Sequence, residues 1–139
     1  MSAQDIYQLE KEIEPFAIAS GTSMGHVHLS VKNIREASVF YQESLGLEDK
    51  FTIPHASWIA SGAYHHHLAV NEWSCKRLAR RKHGMVGLAY YVVEVENKEE
   101  LLKVFAQSQT SKALTQWLSS AEFSVTDKDG IVTRVRVGN

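Results

Sequence analysis

A strand pattern, a helix pattern and three further strand patterns follow one another twice along this chain. In the first copy, GHVHLSV alternates apolar with polar residues, which is typical of a half-buried strand. The segment NIREASVFYQESLGL then places apolar residues on one helical stripe, with Gly46 where a helix cap is expected. Three strand patterns complete this copy, around LEDKFTI, ASWIASG and YHHHLAVNEW. The order predicts one βαβββ unit over about residues 24–73.

The second copy repeats the order of elements but not the identity of residues. GLAYYVVEV is its first strand pattern, and an apolar stripe over residues 97–109 predicts a helix that Asn97 caps. Strand patterns follow in LTQWLSS, AEFSVTD and IVTRVRV, with Gly130 at the turn between the last two. A second βαβββ unit is expected over about residues 86–138. Together they predict an α+β fold, in which paired βαβββ units form a curved mixed sheet with helices on one face.

The length and composition of the chain fit one domain. Its 139 residues are 44% hydrophobic, which is enough to close a single core. We expect this domain to span residues 23–139. Residues 1–22 are predicted to form an N-terminal helix and a linker, because Ile6, Leu9 and Ile13 have helical spacing.

The charge balance narrows the range of partners. Fifteen Lys and Arg against sixteen Asp and Glu leave a net charge of -1, so nucleic acid and membrane surfaces are not expected partners. The basic segment 76–83 has no interleaved aromatic residues and is interpreted as a solvated loop. With a single cysteine, Cys75, and neither a signal nor a spanning pattern, a cytoplasmic location is expected. A small molecule or another protein chain remains as the partner.

Histidines mark the two strand patterns GHVHLSV and YHHHLAV. Because side chains two residues apart share a face of a strand, the pattern puts four histidines on the face away from the helices. These four are His26, His28, His65 and His67. His66 is expected to point the other way, into or beside the core. Imidazoles on facing strands can converge on a divalent metal, although each could instead be a packed polar group.

Carboxylates that would neutralise such a metal are less evident. Glu94, Glu96 and Glu122 have no distinctive spacing to the histidines. On the last strand pattern, alternation turns Arg134 and Arg136 toward the face away from the core. These cations would attract an anion, or they belong to a solvated edge.

The segment GHVHLSVKNI followed by ASVFYQESLGL resembles the opening strand and helix of the vicinal oxygen chelate superfamily. This superfamily includes glyoxalases, extradiol dioxygenases and antibiotic-resistance proteins. More narrowly, GHVHLSV with SGAYHHHLAVNEW and GLAYYVV looks like the C-terminal half of two-module catechol 2,3-dioxygenase-like proteins. The resemblance implies a cupped site that binds a divalent metal such as Fe(II), Mn(II), Zn or Ni.

Carried over residue by residue, the resemblance implies that His26 and His67 are metal ligands. His28 or His65 would handle a proton. The two remaining ligand positions carry Tyr90 and Arg134 in this chain, so the implied metal site is incomplete.

Two functions are compatible with an incomplete site. The chain could be a glyoxalase-like or ring-cleavage component, whose metal site is completed by a partner module of the same fold or by a second copy in a homodimer. It could instead be a metal-free homodimeric binding or resistance-type protein. An anionic or aromatic ligand would then lie between Arg134, Tyr90 and the histidines, with Asn71 as a further ligand-binding residue. A scaffold whose histidines only pack is a third possibility.

Overall fold

The computed structural model describes residues 17–74, 82 and 84–138. The predicted leading helix, Cys75 and most of the basic segment 76–83 lie outside the described residues. Within the described part of the chain, no helix is long and apolar enough to cross a membrane.

The first unit contains one helix and four strands. It runs from β1 (Val27–Ser30) through α1 (Ile34–Leu45) to β2 (Glu48–Ile53), β3 (Ala56–Ala60) and β4 (Leu68–Asn71). Its sheet has the order β1-β4-β3-β2. β1 pairs with β4 in parallel, whereas β2–β3 and β3–β4 are antiparallel.

The second unit repeats this arrangement. It comprises β5 (Tyr91–Val95), α2 (Lys98–Thr110), β6 (Leu114–Ser119), β7 (Glu122–Thr126) and β8 (Val132–Val137). Its sheet has the order β5-β8-β7-β6, again with one parallel pair, β5–β8. The predicted α+β class with paired βαβββ units is confirmed. Each unit forms its own four-stranded mixed sheet.

Local signals set the ends of both helices. Asn33 and Asn97 have extended backbones, and their side chains accept hydrogen bonds of 3.0 Å from the backbone N–H groups of Glu36 and Glu100. Such bonds satisfy amide donors in a first helical turn. At the end of α1, Gly46 adopts a left-handed conformation with φ of 70°, which a residue without Cβ adopts readily. The predicted caps at Asn97 and Gly46 are confirmed.

The core lies between each sheet and its own helix and continues across the contact between the two helices. Where α1 and α2 meet, Ser44 and Ser108 are fully buried, and the Ser108 hydroxyl donates to the Ser44 carbonyl at 2.7 Å. Small side chains at this contact let the helices approach closely. The largest fully buried side chains of the core are Tyr41, Phe123, Ile59, Leu101, Val31, Val70, Val125 and Val135.

Candidate metal site

The first strand places its histidines as alternation predicts. On β1, Leu29 is buried and Val27 half-buried, whereas His28 is exposed. His26, also exposed, immediately precedes the strand. The open side of the first sheet is therefore where these two imidazoles lie.

The three consecutive histidines lie before β4 and not on it. Residues 61–67 form the connection between β3 and β4, in which Gly62 has a φ of 62°. The connection ends at His67, whose backbone N–H donates to Ile59 and whose carbonyl accepts from Val27, both at 3.0 Å. Strand alternation therefore begins at Leu68 and does not govern the direction of His66.

His66 consequently lies with the other histidines. Its ring centroid is 4.3 Å from that of His26, 4.5 Å from that of His65 and 5.5 Å from that of His28. The expectation that His66 points away from them is wrong, because that expectation extended the strand period into a turn. The turn signal SGA before the histidine triplet is the sequence feature that marks this break.

Three of the imidazoles converge closely enough to hold one ion. His26, His65 and His66 each offer a ligand atom, and these atoms all lie within 4.8 Å of one another. Nitrogens that bind one zinc ion at about 2.0 Å can be at most about 4 Å apart. Small side-chain rotations would therefore close the group around a single metal.

The state of His66 also fits a ligand role. Its Nε2 atom is buried without a hydrogen-bond partner among the described residues. Burial is the main cause that lowers the pKa of His66, and the neighbouring His26 lowers this pKa further. A lowered pKa favours the neutral imidazole, which is the form that binds metals. Neutral nitrogen donors suit zinc, iron and nickel, so this donor set fits the divalent metal that the resemblance implies.

The other two predicted histidines flank this group. The ring of His28 is 5.3 Å from that of His26. His67 is not among the three converging residues; its Nδ1 accepts the backbone N–H of Ser61 at 3.2 Å. Burial and the nearby His65 lower the pKa of His67. The structure thus brings His26, His28 and His65 together and adds His66, while the assignment of His67 as a ligand stays a prediction.

Tyr90 and Arg134 contact each other on the second unit. The central guanidinium carbon of Arg134 lies 3.8 Å from the centroid of the Tyr90 ring, and its Nη1 is 3.6 Å from Glu122. Arg136 donates to Glu94 at 2.7 Å. Glu122 therefore partly offsets the positive charge of Arg134, and Glu94 that of Arg136. The sequence pattern did not predict these ion pairs. The pairing register of the strands brings these charges together. Arg136 lies opposite Glu94 on β5 and opposite Glu122 on β7.

Asn71, the remaining predicted ligand-binding residue, is only 5% exposed. Its side-chain oxygen accepts the backbone N–H of Trp73 at 3.3 Å, and its carbonyl accepts from Val31. These contacts order the end of β4. The ligand-binding assignment of Asn71 stays a prediction.

Comparison with known proteins agrees with this architecture. No protein-family model matches the chain. Its sequence is 32% identical to the catechol-2,3-dioxygenase of Bacillus subtilis (strain 168) over 87 residues, which make up 61% of this chain and 30% of that protein. The chain therefore spans less than a third of the length of this relative.

Solved structures share the fold at low sequence identity. Lactoylglutathione lyase from Agrobacterium tumefaciens has a TM-score of 0.62 and 18% identity, over 86% of this chain and 96% of that one. A glyoxylase/bleomycin resistance protein/dioxygenase domain from Frankia sp. EAN1pec has a TM-score of 0.65 and 18% identity, over 86% and 100%. The fosfomycin resistance protein FosX from Listeria monocytogenes has a TM-score of 0.60 and 14% identity, over 88% and 96%.

The chain shares its paired βαβββ units with solved structures of a lyase, a resistance protein and a dioxygenase-type domain. The expected resemblance to the vicinal oxygen chelate superfamily, the group of glyoxalases, bleomycin resistance proteins and dioxygenases, is confirmed by the shared fold and by this partial sequence match. The expected likeness to catechol 2,3-dioxygenase-like proteins is confirmed over 87 residues by the Bacillus subtilis relative.

Proposed function

We propose that this chain is a metal-dependent domain that binds a small molecule through two neighbouring oxygen atoms, in the manner of a ring-cleavage component. The divalent ion would be held by His26, His65 and His66. The observation that carries the proposal is the convergence of three ligand atoms within 4.8 Å of one another. The buried Nε2 of His66, which has no partner among the described residues, supports it further.

The charge of this donor set indicates what the ion would bind. Three neutral imidazoles leave the two positive charges of the metal unbalanced. Glu94 and Glu122, on the second unit, already lie against Arg136 and Arg134. The bound molecule is therefore expected to supply negative oxygens, as a catecholate or an α-hydroxy acid does. The metal would polarise those oxygens as a Lewis acid.

His28 is the residue proposed to exchange a proton with the bound molecule. Its ring lies 5.3 Å from that of His26 and 5.5 Å from that of His66, and it is exposed. An imidazole beside a metal site can take the proton that a catechol hydroxyl loses when its oxygen binds the ion. His65, the other proton-handling candidate, is assigned here to the metal because it belongs to the converging group.

A second copy or a separate module of the same fold is proposed as the partner. The Bacillus subtilis relative is a catechol-2,3-dioxygenase of which this chain spans only 30%, so a further domain could supply carboxylates that this site lacks. Large apolar side chains are also exposed: Leu114 is 72% exposed, and Phe51 and Trp73 are each 61% exposed. Molar mass in solution, measured by light scattering, tests for the homodimer.

The metal-free binding function has one observation in its favour. Arg134 is half-buried and stacks on Tyr90, and a guanidinium supported in this way attracts carboxylates or phenolates. Glu122 at 3.6 Å weakens that attraction. Substitution Arg134→Gln would abolish stabilisation by catechol if this function is correct, and would leave it intact if the histidine metal site holds the molecule.

Calorimetric titration of chelator-treated protein with Zn(II), Mn(II), Ni(II) and, without oxygen, Fe(II) tests the metal proposal. We expect one ion per chain and a loss of affinity of more than about a hundredfold in His66→Ala, because loss of a ligand exceeds the 10–100-fold effects of residues that only support ligands. His55→Ala is the matched control, since exposed His55 lies beside Glu72 outside the group. Equal affinities in the two variants would contradict the proposal.

A further inference from the structure

Tyr64 lies in the connection that carries the three consecutive histidines, directly before them. Its ring centroid is 4.4 Å from that of His65 and 4.7 Å from that of His67, and both pairs of rings are tilted, by 48° and 35°. Aromatic rings at such separations attract one another beyond the apolar area that they bury. Tyr64 therefore contacts the first and the last imidazole of the triplet.

The ring of His65 depends on such a contact more than the ring of His67 does. The backbone of His67 is fixed by the N–H that it donates to Ile59 and by the carbonyl that accepts from Val27. His65 lies two residues earlier, outside the strand, and is exposed. A side chain that must be ordered when an ion binds lowers the affinity by the entropy that it loses. Packing against Tyr64 restricts the His65 ring before an ion arrives.

The hydroxyl end of Tyr64 lies near the segment that leads into β1. A Cβ atom added at Gly25 would lie 3.8 Å from the Tyr64 hydroxyl oxygen, an ordinary van der Waals distance. Gly25 directly precedes His26, whose ring centroid is 6.1 Å from that of His65. One side chain thus lies against both segments of the chain that supply the converging histidines.

We propose that Tyr64 is a positioning residue of the metal site, and that its ring holds the neighbouring imidazoles in the orientation that binds the ion. The proposal rests on the proposed function, because it needs the metal site. It applies to His65, which belongs to the converging group, and equally to His67, which the family resemblance implies as a ligand. An imidazole bound to a divalent ion gains positive charge, which the electron-rich ring of a tyrosine attracts. The contact with Tyr64 should therefore strengthen when the ion binds.

Nuclear magnetic resonance of the metal-free protein tests the contact independently of any metal. The carbon-bound ring protons of His65 and His67 are assigned as the signals that disappear in His65→Gln and His67→Gln. In the wild type we expect magnetisation transfer between these protons and those of the Tyr64 ring. Their chemical shifts should be nearly unchanged in Tyr64→Phe and should move in Tyr64→Leu, which has no ring. No transfer in the wild type, or unchanged shifts in Tyr64→Leu, would overturn the proposal.

Calorimetric titration with Zn(II) tests the positioning role. Tyr64→Leu should bind zinc about ten- to a hundredfold more weakly than the wild type, as is typical for residues that orient ligands, whereas Tyr64→Phe should stay within about threefold. Phe51→Leu is the matched control, because it removes an exposed ring that packs on Trp58. Zinc affinity in Tyr64→Leu equal to that in Phe51→Leu would overturn the proposal. A loss in Tyr64→Phe as large as that in Tyr64→Leu would overturn it as well.

The two measurements separate a failure of the positioning role from a failure of the proposed function. Tyr64 is 40% exposed, so Tyr64→Leu should keep the fold, which urea unfolding of the variant verifies. If the wild type binds zinc and Tyr64→Leu binds it equally well, the proposed function stands and the positioning role is wrong. If the wild type binds no zinc, both are wrong, and the magnetisation transfer still decides whether Tyr64 orders the imidazoles.

Discussion

The hydroxyl of Tyr41 on α1 donates a 2.7 Å hydrogen bond to Asp127 in the turn between β7 and β8, so the helix of one unit is tied to the hairpin of the other. Both side chains are buried, Tyr41 completely and Asp127 to all but 8%. The other carboxylate oxygen of Asp127 accepts the backbone N–H groups of Asp129 and Ile131, at 2.9 Å and 2.8 Å. Burial nevertheless raises the pKa of Asp127. This contact helps hold the two units in register.

Removing the Tyr41 hydroxyl should therefore destabilise the fold. We expect Tyr41→Phe to lower the free energy of unfolding by about 1–3 kcal/mol, because it leaves a buried carboxylate oxygen without its donor. Tyr91→Phe is the matched control. The Tyr91 hydroxyl is buried near Thr133 and Tyr41 but makes no well-formed hydrogen bond with a described residue. Its loss should cost less than about 1 kcal/mol in the same urea titrations. Equal losses of unfolding free energy in Tyr41→Phe and Tyr91→Phe would contradict a stabilising role for the bond between Tyr41 and Asp127.

Alkaline pH should weaken the fold through the same pair of tyrosines. Burial is the main cause that raises the pKa of Tyr41 and of Tyr91 above the ordinary value. In the unfolded chain both tyrosine hydroxyls ionise at about pH 10, whereas in the folded chain their ionisation requires a higher pH. Their contribution to stability is therefore complete below about pH 10 and is lost progressively as the pH rises above it.

Urea unfolding at intervals from about pH 8 to pH 11 measures this dependence. The decline above pH 10 should be shallower in Tyr41→Phe, which has one fewer group to ionise. A wild-type decline no steeper than that of the variant would show that Tyr41 is not the group concerned.

The contact between the helices should tolerate a smaller side chain better than a larger one. Ser108 is fully buried, and its one hydroxyl hydrogen is shared between the carbonyls of Ser44 and Val104, at 2.7 Å and 2.8 Å. Ser108→Ala should cost about 1 kcal/mol, as one hydrogen-bonding group is lost. Ser108→Leu should cost more, about 1–3 kcal/mol in packing strain alone, because it forces the helices apart. The exposed control Ala106→Leu on the same helix should change stability by no more than about 0.5 kcal/mol, and a larger loss there would implicate helix propensity instead.

Much of the fold was predictable because its elements carry local signals. Alternation located β1 and β8, while Asn97 and Gly46 marked a helix start and a helix end. These signals act over a few residues, so they can be read without knowing the tertiary structure.

The site was predictable in part, and the strand period is a physical reason for the prediction only beside β1. Alternation placed His26 and His28 correctly, but His66 lies in the turn before β4, where no ladder of hydrogen bonds imposes the period of two. The pairing of Arg134 with Glu122 depends on the register of β7 and β8. That register is a long-range property that the pattern of either strand alone does not specify.

Anomalous X-ray diffraction from crystals soaked in Zn(II) tests the central claim most directly. We predict one zinc peak with nitrogen atoms of His26, His65 and His66 at about 2.0–2.1 Å, and no such peak in crystals of His26→Gln. A zinc ion bound by His67 in place of one of these three residues, or no zinc at this group in the wild-type crystals, would contradict the account.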